Sequence, residues 1–502
     1  MPYAQLQTII VPIILAPVCY LLSKRLGKQV GWLAFVAMVY ATAILVLDEV
    51  VLWSGSSIPV ESYAWAPTAG LTFGFLADGL SVPVSILVCV VLAASILYSI
   101  PYMERRIKAI YGEDRKDMYG LYYLNYLLLS AGLVGIVLST NLIELYLFLE
   151  LVLIPTFAII SFFGYEQKER VAIIYFIWNH LGAFIFLAGI LFVYAATGSF
   201  SISGMSAAQT SVYADWIVGL ILVGWLVKMA VFGVHMWLPI TEAEAPTAFA
   251  PTMAVVSGIG SYVLVRLLLL GMPSTFQAFS LPLMAWAVLT MFYGGAVTLV
   301  QSDLKYMFAW STVSQNAYSI LGIASFSVLG ASGAVFYFLS HIMGKLIMFS
   351  VAGILLLQTG SRDLKSMKGL ASKMPLTAAI FILGALILSA VPPTGGFMAE
   401  WIMFAGIFTQ GATGSAAYFW VAILGLAATM LTVAYTLWPI RRIFFGQLPE
   451  TLQDVKEAPL SMTLPLLAVI VISIIIGIYP NVVSKFLISI VNYPPLRGSI
   501  PG

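Results

Sequence analysis

Four charged side chains fall inside stretches that are otherwise apolar. Glu150 lies in NLIELYLFLELVLIPTF (141–157), Lys228 in LVGWLVKMAVFGVHMWLP (222–239), Lys345 in FLSHIMGKLIMF (338–349) and Glu400 in VPPTGGFMAEWIMF (391–404). A charge at mid-bilayer costs about 2.5–3.5 kcal/mol on insertion scales, and such residues usually face a polar interior and mark an ion route. Burial favours the neutral form of an acid or a base, whereas an opposite charge nearby favours the ionised form. A Glu–Lys pair that can be made and broken therefore switches the proton affinity of its lysine. Glu150 and Lys228 are read as such a pair. The alternative, a static pair locking two helices, is disfavoured because buried pairs contribute little net stability.

Further candidates flank these four. His341 and Lys345 are four residues apart and share a helix face, so the imidazole could relay a proton or simply hydrogen-bond a carbonyl. His235 follows Lys228 by seven residues, on the same face if the helix continues, with relay and structural roles equally open. His180, in IYFIWNHLGAF, is read as structural or as a member of a water chain. Glu144 sits nearer its helix end, about 120° round from Glu150; an ion entrance, a subunit contact and a solvated interface residue all remain open. Lys305 opens an apolar run and is either an anchor or an end of the ion route. Glu242 and Glu244 are expected on a solvated loop, Arg266 to snorkel toward an interface, and Asp78 to cap a helix.

The elements that must position these groups follow from composition. The chain has 502 residues, 61% hydrophobic and 9% charged, with mean hydropathy +1.01, against roughly 25% charged in soluble domains. An all-α, polytopic membrane protein is expected. A net charge of +2 implies no nucleic-acid partner. Cys19 and Cys89 offer neither a disulfide framework nor metal-ligand spacing, and no residue pattern suggests a catalytic centre or a cofactor site. The N-terminal segment reads as a first span rather than a cleaved signal.

Apolar runs predict about fourteen transmembrane helices. The seventh, 215–239, carries Lys228. The twelfth, 375–410, is too long for one span and contains VPPTGG (391–396), so both are expected to be discontinuous. Eighteen of the 23 Lys and Arg fall in connections after odd-numbered helices and none in those after even-numbered ones. By the positive-inside rule both termini face outward. The two broken helices are five apart, which suggests inverted five-helix repeats, helices 4–8 and 9–13. The expected division is 1–117 for helices 1–3, 118–270 and 280–440 for the repeats, and 460–502 for helix 14 and the tail.

Several stretches resemble a known family. VKMAVFGVHMWLPITEAEAPTA (227–248) is similar to the KMPVxPxHxWLPxAHxEAPT segment of the antiporter-like subunits of respiratory complex I. FLELVLIPT (148–156), SDLKYMFAWSTVSQ (302–315), SHIMGKLIMF (340–349) and AVPPTGGFMAEW (390–401) resemble other segments of that family. The same module occurs in multisubunit sodium/proton antiporters and in complexes of the F420H2 dehydrogenase, membrane-bound hydrogenase and sulfur reductase types. Glutamate rather than lysine after the twelfth-helix break, and a chain ending soon after helix 14, resemble the M-type. Lys345 is less typical of bacterial M-type subunits.

The resemblance implies proton, or sodium, translocation across a prokaryotic cytoplasmic membrane along Glu150, Lys228, Lys345 with His341, and Glu400. It implies membrane partner subunits and peripheral redox subunits that carry the iron–sulfur clusters, with no cofactor in this chain. One departure stands out. Ser257 or Gly258 falls where the family carries a helix-8 lysine, which leaves open a link through water held by Ser257 and Ser261, a link through a different residue, and a subunit that pumps differently or not at all.

Overall fold

The computed structural model describes residues 3–66, 71–413 and 416–491. Hydrocarbon offers the backbone no hydrogen-bond partner, so apolar runs of this length satisfy their own amides as helices. α1 (Ala4–Leu26) turns back at Gly27, φ +56°, into α2 (Val30–Trp53). There follow α3 (Ser81–Tyr111), α4 (Lys116–Leu138), α5 (Leu142–Phe163) and α6 (Lys168–Thr197). α7 (Ala214–Lys228) and the short α8 (Trp237–Glu244) come next, then α9 (Ala250–Leu269), whose last turn, Leu264–Leu269, widens to a π-helix. α10 (Ser280–Leu299), α11 (Leu304–Ala324) and α12 (Val328–Thr359) precede α13 (Pro375–Leu388), α14 (Gly395–Thr413), α15 (Ala416–Phe444), α16 (Leu460–Ile478) and α17 (Asn481–Val491). Among the described residues ten helical stretches are long and apolar enough to cross a membrane, with α1 and α2 forming one continuous stretch.

The all-helical expectation needs one correction. Glu61–Ala66 (β1) and Leu71–Phe75 (β2) pair antiparallel, with Tyr63 opposite Phe73. Aromatic residues drive this: Phe73 packs edge-on against Phe75 and against Phe148 of α5. Leu76 N–H then donates to the Leu138 carbonyl at 2.7 Å, fastening the hairpin to the end of α4.

α9 and α12 lie almost wholly inside the protein, and α3 and α4 nearly so. The outer faces of α2, α6 and α15 expose Trp32, Ile177, Phe184, Trp420 and Met430. Large apolar side chains turned outward on this scale form a belt for lipid rather than water. Inside, small residues let helices approach closely. A Cβ on Gly333 of α12 would collide with the Met403 amide nitrogen of α14.

Three local devices each occur twice. α6 ends in Thr197–Gly198–Ser199 and α12 in Thr359–Gly360–Ser361, both glycines at φ +70°. In each, the threonine hydroxyl accepts from the serine amide, at 3.2 and 3.3 Å. The chain beyond is stapled back to an earlier helix start. Leu142 N–H donates to Phe200 O and Ile202 N–H to Thr140 O, while Leu304 N–H donates to Arg362 O and Leu364 N–H to Ser302 O. α7 and α13 also end alike. Ala230 (φ +57°) and Ala390 (φ +52°) leave the helix with the same pair of bonds, Ala230 to Val227 and Val231 to Leu226, and Ala390 to Ile387 and Val391 to Leu386.

Candidate functional site

The interruption after α7 puts Lys228 at a helix end rather than mid-helix. It is the last helical residue, 5% exposed. A break inside hydrocarbon frees backbone groups that must find partners, and side chains supply them. Trp237 Nε1 donates to Val227 O at 2.9 Å, and Asn316 Nδ2 of α11 donates to Met229 O at 3.0 Å. Phe232 N–H donates to Thr290 Oγ1, and Trp286 Nε1 to Phe232 O.

Because the helix stops, the condition for a helical face shared by His235 and Lys228 is not met. His235 lies in the break, where Nδ1 accepts from Gly233 N–H at 3.2 Å and the ring is enclosed by Phe232, Tyr293 and Trp310. Its Nε2 is buried without a partner.

Glu150 and Lys228 form no direct ion contact. Glu150 is the carboxylate whose charge acts on Lys228, but across more than 4.0 Å. Glu150 Oε2 instead lies 3.3 Å from His180 Nδ1 of α6, a histidine held between Phe176 and Phe184. One turn of α6 separates each phenylalanine from His180, so the ring is fixed in front of Glu150 from both sides.

The largest correction concerns Glu242 and Glu244. Both are buried, at 0% and 4% exposure, rather than on a solvated loop. Glu242 Oε2 accepts from Thr312 Oγ1 of α11 at 2.7 Å, and its Oε1 has no partner. The charges acting on it are Lys345 and Lys305. Lys345 Nζ donates to Phe308 O and to Ser311 Oγ, so neighbouring residues of α11 hold the acid and the base. His341, also buried, is acted on by Lys345, and its Nε2 is unpartnered. Glu244 Oε2 accepts from Gln167 N–H at 3.1 Å.

Sequence reasoning missed Glu242 because TEAEAP (241–246), between two prolines, reads as a loop. The signal available was the absence of any Lys or Arg beside the two acids, in a pattern where the resembling family has histidine at position 242.

Lys305 is 1% exposed, so it is not a solvent-facing anchor. Its Nζ donates to Ala245 O and sits 4.2 Å above the Tyr165 ring, which Arg106 and Arg362 also approach. Three cations on one ring gain from its π-face but repel one another. Glu244 and Asp303 offset that repulsion at Lys305, and Asp303 pairs with Arg362 at 2.8 Å.

From His341 a run of hydroxyls and an amide leads toward Glu400. Tyr337, one turn earlier on α12, donates to Gln315 Oε1; Gln315 Nε2 donates to Tyr435 OH at 2.7 Å; Tyr435 and Tyr318 both bond Thr432 Oγ1. The charge of Glu400 acts on Tyr318, Tyr337 and Tyr435. Glu400 itself borders a lateral concavity of about 400 Å³ beside Phe397, Trp401, Phe404 and Thr429.

The remaining expectations divide. Ser257 Oγ accepts from Asn316 Nδ2 at 3.1 Å, which ties α9 to the Lys228 break through the same asparagine. At Gly258 an added Cβ would lie 2.7 Å from the Phe338 ring, so a phenylalanine of α12 fills the space a longer side chain would need. Glu144 is fully buried rather than solvated. Its Oε2 accepts from Gly74 N–H of β2 at 3.1 Å, a structural bond to the hairpin. Arg266 does not snorkel: it grips Asp78 with two bonds of 2.7 and 2.8 Å. Asp78 Oδ1 also accepts from Leu80 and Ser81 N–H, starting α3. Burial works to raise the Asp78 carboxyl, but Arg266 and these amides outweigh it and hold it below its ordinary value. Among the described residues no three His, Cys, Asp or Glu come together as a metal site.

The family described as NADH:quinone oxidoreductase/Mrp antiporter, TM, matches residues 139–434. The F(420)H(2) dehydrogenase subunit M of Methanosarcina mazei is 30% identical over 506 residues, covering 97% of this chain and 97% of its own length. The NADH-quinone oxidoreductase subunit M of Rickettsia typhi is 28% identical over 501 residues, again 97% of each. A chain of respiratory complex I from Thermus thermophilus, 20% identical, superposes with a TM-score of 0.86 over 99% of this chain and 100% of that one, a likeness of fold.

Proposed function

The chain belongs to the NADH:quinone oxidoreductase/Mrp antiporter transmembrane family, and from that premise we propose that it is an M-type antiporter-like subunit of a redox-driven, complex I-related membrane assembly, translocating protons. The reading is supported by ionisable side chains inside the helix bundle, with Lys228, His235, Glu242, Lys305, His341 and Lys345 buried and Glu150, His180 and Glu400 partly so, and with polar side chains of neighbouring helices lying between them. Glu150, with His180 beside it, acts on Lys228, and His235 lies in the break that follows Lys228. Asn316 and Ser257 bridge the break toward α9 and α11. Glu242, Lys345, Lys305 and His341 form the centre, and the Tyr337–Gln315–Tyr435–Thr432–Tyr318 network leads to Glu400. The four buried acids and lysines of the route, Lys228, Glu242, Lys305 and Lys345, locked in place as unpaired charges would cost about 10–14 kcal/mol at insertion-scale values, comparable with a typical folding stability of about 5–15 kcal/mol. They therefore share protons, and a charge change at Glu150 alters the affinity of Lys228 and then of the central cluster. In a redox-driven assembly the donor and acceptor chemistry belongs to partner subunits.

The reading includes fourteen spans and two inverted five-helix halves, 118–270 and 280–440, between helices 1–3 (1–117) and helix 14 with the tail (460–502). The twin Thr–Gly–Ser caps, the twin staples and the twin alanine exits support equivalence of α5 with α11, α6 with α12, and α7–α8 with α13–α14. The charge alternation favours both termini outside a prokaryotic cytoplasmic membrane.

Gentle solubilisation, pull-down of this chain, and identification of partners by mass spectrometry with iron analysis test the reading. Co-purifying iron–sulfur subunits are expected. Recovery with small membrane proteins alone and no iron would replace it with the second reading, a gradient-driven sodium/proton antiporter subunit, which the family's Mrp members favour.

A further inference from the structure

We propose that the concave face formed by Leu364–Lys368 and the end of α15 binds the headgroup of an anionic phospholipid. The concavity, about 540 Å³, is lined by Lys365, Lys368, Arg441 and Arg442, with Trp438 and Phe445 at its side. Among the described residues, no carboxylate lies within 4.0 Å of any of these four cations. The nearest acid in sequence, Asp363, accepts from the Lys365 backbone N–H, and Asp303 is committed to Arg362. Four like charges around one hollow repel each other. Among the described residues no acid in contact offsets this, whereas a phosphodiester would do so with charge-assisted bonds.

The hollow is held in shape by the backbone. Gly369 N–H donates to Phe445 O at 3.3 Å. The Lys368 stem crosses Gly446, where φ is +101° and a Cβ would lie 2.7 Å from Lys368 Cε. Its surroundings are amphipathic. Arg442 lies 5.0 Å over the half-exposed Trp438 ring, the indole position typical of a membrane interface. Along α15, Leu426 and Met430 continue the exposed apolar face away from the cations. A cationic floor beside an apolar wall fits an amphiphile better than a free phosphate, and basic pockets at helix ends recognise anionic headgroups. None of these residues belongs to the proposed proton route.

The test uses the full chain in its purified membrane assembly, exchanged against phosphatidylcholine vesicles with and without phosphatidylglycerol. Bound lipid is counted by native mass spectrometry. Phosphatidylglycerol should be retained over phosphatidylcholine, and the retention should fall about fivefold per cation removed in Lys368→Gln and Arg441→Gln. Lys368→Arg should keep it. An unchanged elution profile and helical spectrum verify folding of each variant. Equal retention of the two lipids, or no change in the variants, overturns the proposal. So does displacement of the lipid by inorganic phosphate, which would make the site one for the free ion. Loss of a partner subunit in place of lipid would assign the face to protein and equally overturn it.

Discussion

Lys228 and Glu242 carry the consequences of the proposed route at the level of single side chains. Lys228→Ala should remove the share of pumping due to this subunit, seen as a lower proton-to-electron ratio in reconstituted vesicles with the assembly intact. An unchanged ratio would sink the axis. Glu242→Gln keeps the acceptor for Thr312 but removes the titrating group, and should slow proton-coupled turnover at least about tenfold, in the range of a lost acid–base group. Glu244→Gln should have a smaller effect, because that carboxylate is engaged by the Gln167 amide. Gly258 offers a check on packing. Gly258→Lys should cost about 1–3 kcal/mol as overpacking against Phe338, read as a lower Tm, and Phe338→Ala in the same chain should recover part of it. The residue types of the route were legible in the sequence, since a charge in an apolar run is conspicuous. Their partners were not. Glu150 faces His180 because of how the unbroken α5 and α6 pack, and Glu242 is interior because the chain turns inward after the break at Lys228.

Element ends decide where such a turn falls. The spacing rule that joined His235 to Lys228 requires an unbroken helix, and Ala230 at φ +57° ends it. Prolines and VPPTGG made the breaks legible, but not the side chains that satisfy them. Trp237→Phe keeps the ring and removes the donor to Val227 O, so it should cost about 1 kcal/mol, measured as a lower Tm with helical content unchanged. The hairpin was hidden because strands of six and five residues give a weak signal beside helices of more than twenty. Twin Thr–Gly–Ser caps were present in the sequence at 197–199 and 359–361, yet three residues separated by long dissimilar helices do not register as a repeat. The Asp78–Arg266 grip joins the start of α3 to the π-turn of α9 and carries a pH dependence. Asp78 is held below its ordinary value when folded. Its contribution is therefore complete above the unfolded value, about 4, and is lost as pH falls through the folded one. Asp78→Asn should melt lower than the parent chain at neutral pH, with the gap closing in acid.

At the scale of the whole molecule, charge distribution sets orientation. Seventeen of the 23 Lys and Arg, with the buried Lys305 set aside, fall in one set of connections. Placing each in the outer set would forfeit roughly 1 kcal/mol of attraction to an anionic cytoplasmic leaflet, so one orientation wins by a wide margin. Residues 361–368 and the start of α4 should then lie inside, and Ser203 and Ser206 outside. The native thiols suit a direct measurement, since Cys19 and Cys89 are both buried and should be silent to a membrane-impermeant maleimide. Ser203→Cys should label in intact cells, and Ser366→Cys only after the membrane is opened. The reverse pattern would invert the molecule. Glu144 and the hairpin would then face the cytoplasm, and the four-cation hollow the exterior. Because the two halves are proposed to be inverted copies, the same experiment tests them together. Connections that are equivalent in the repeats, 199–203 and 361–365, must label from opposite sides, and labelling of both from one side would exclude inverted repeats whatever the orientation of the whole.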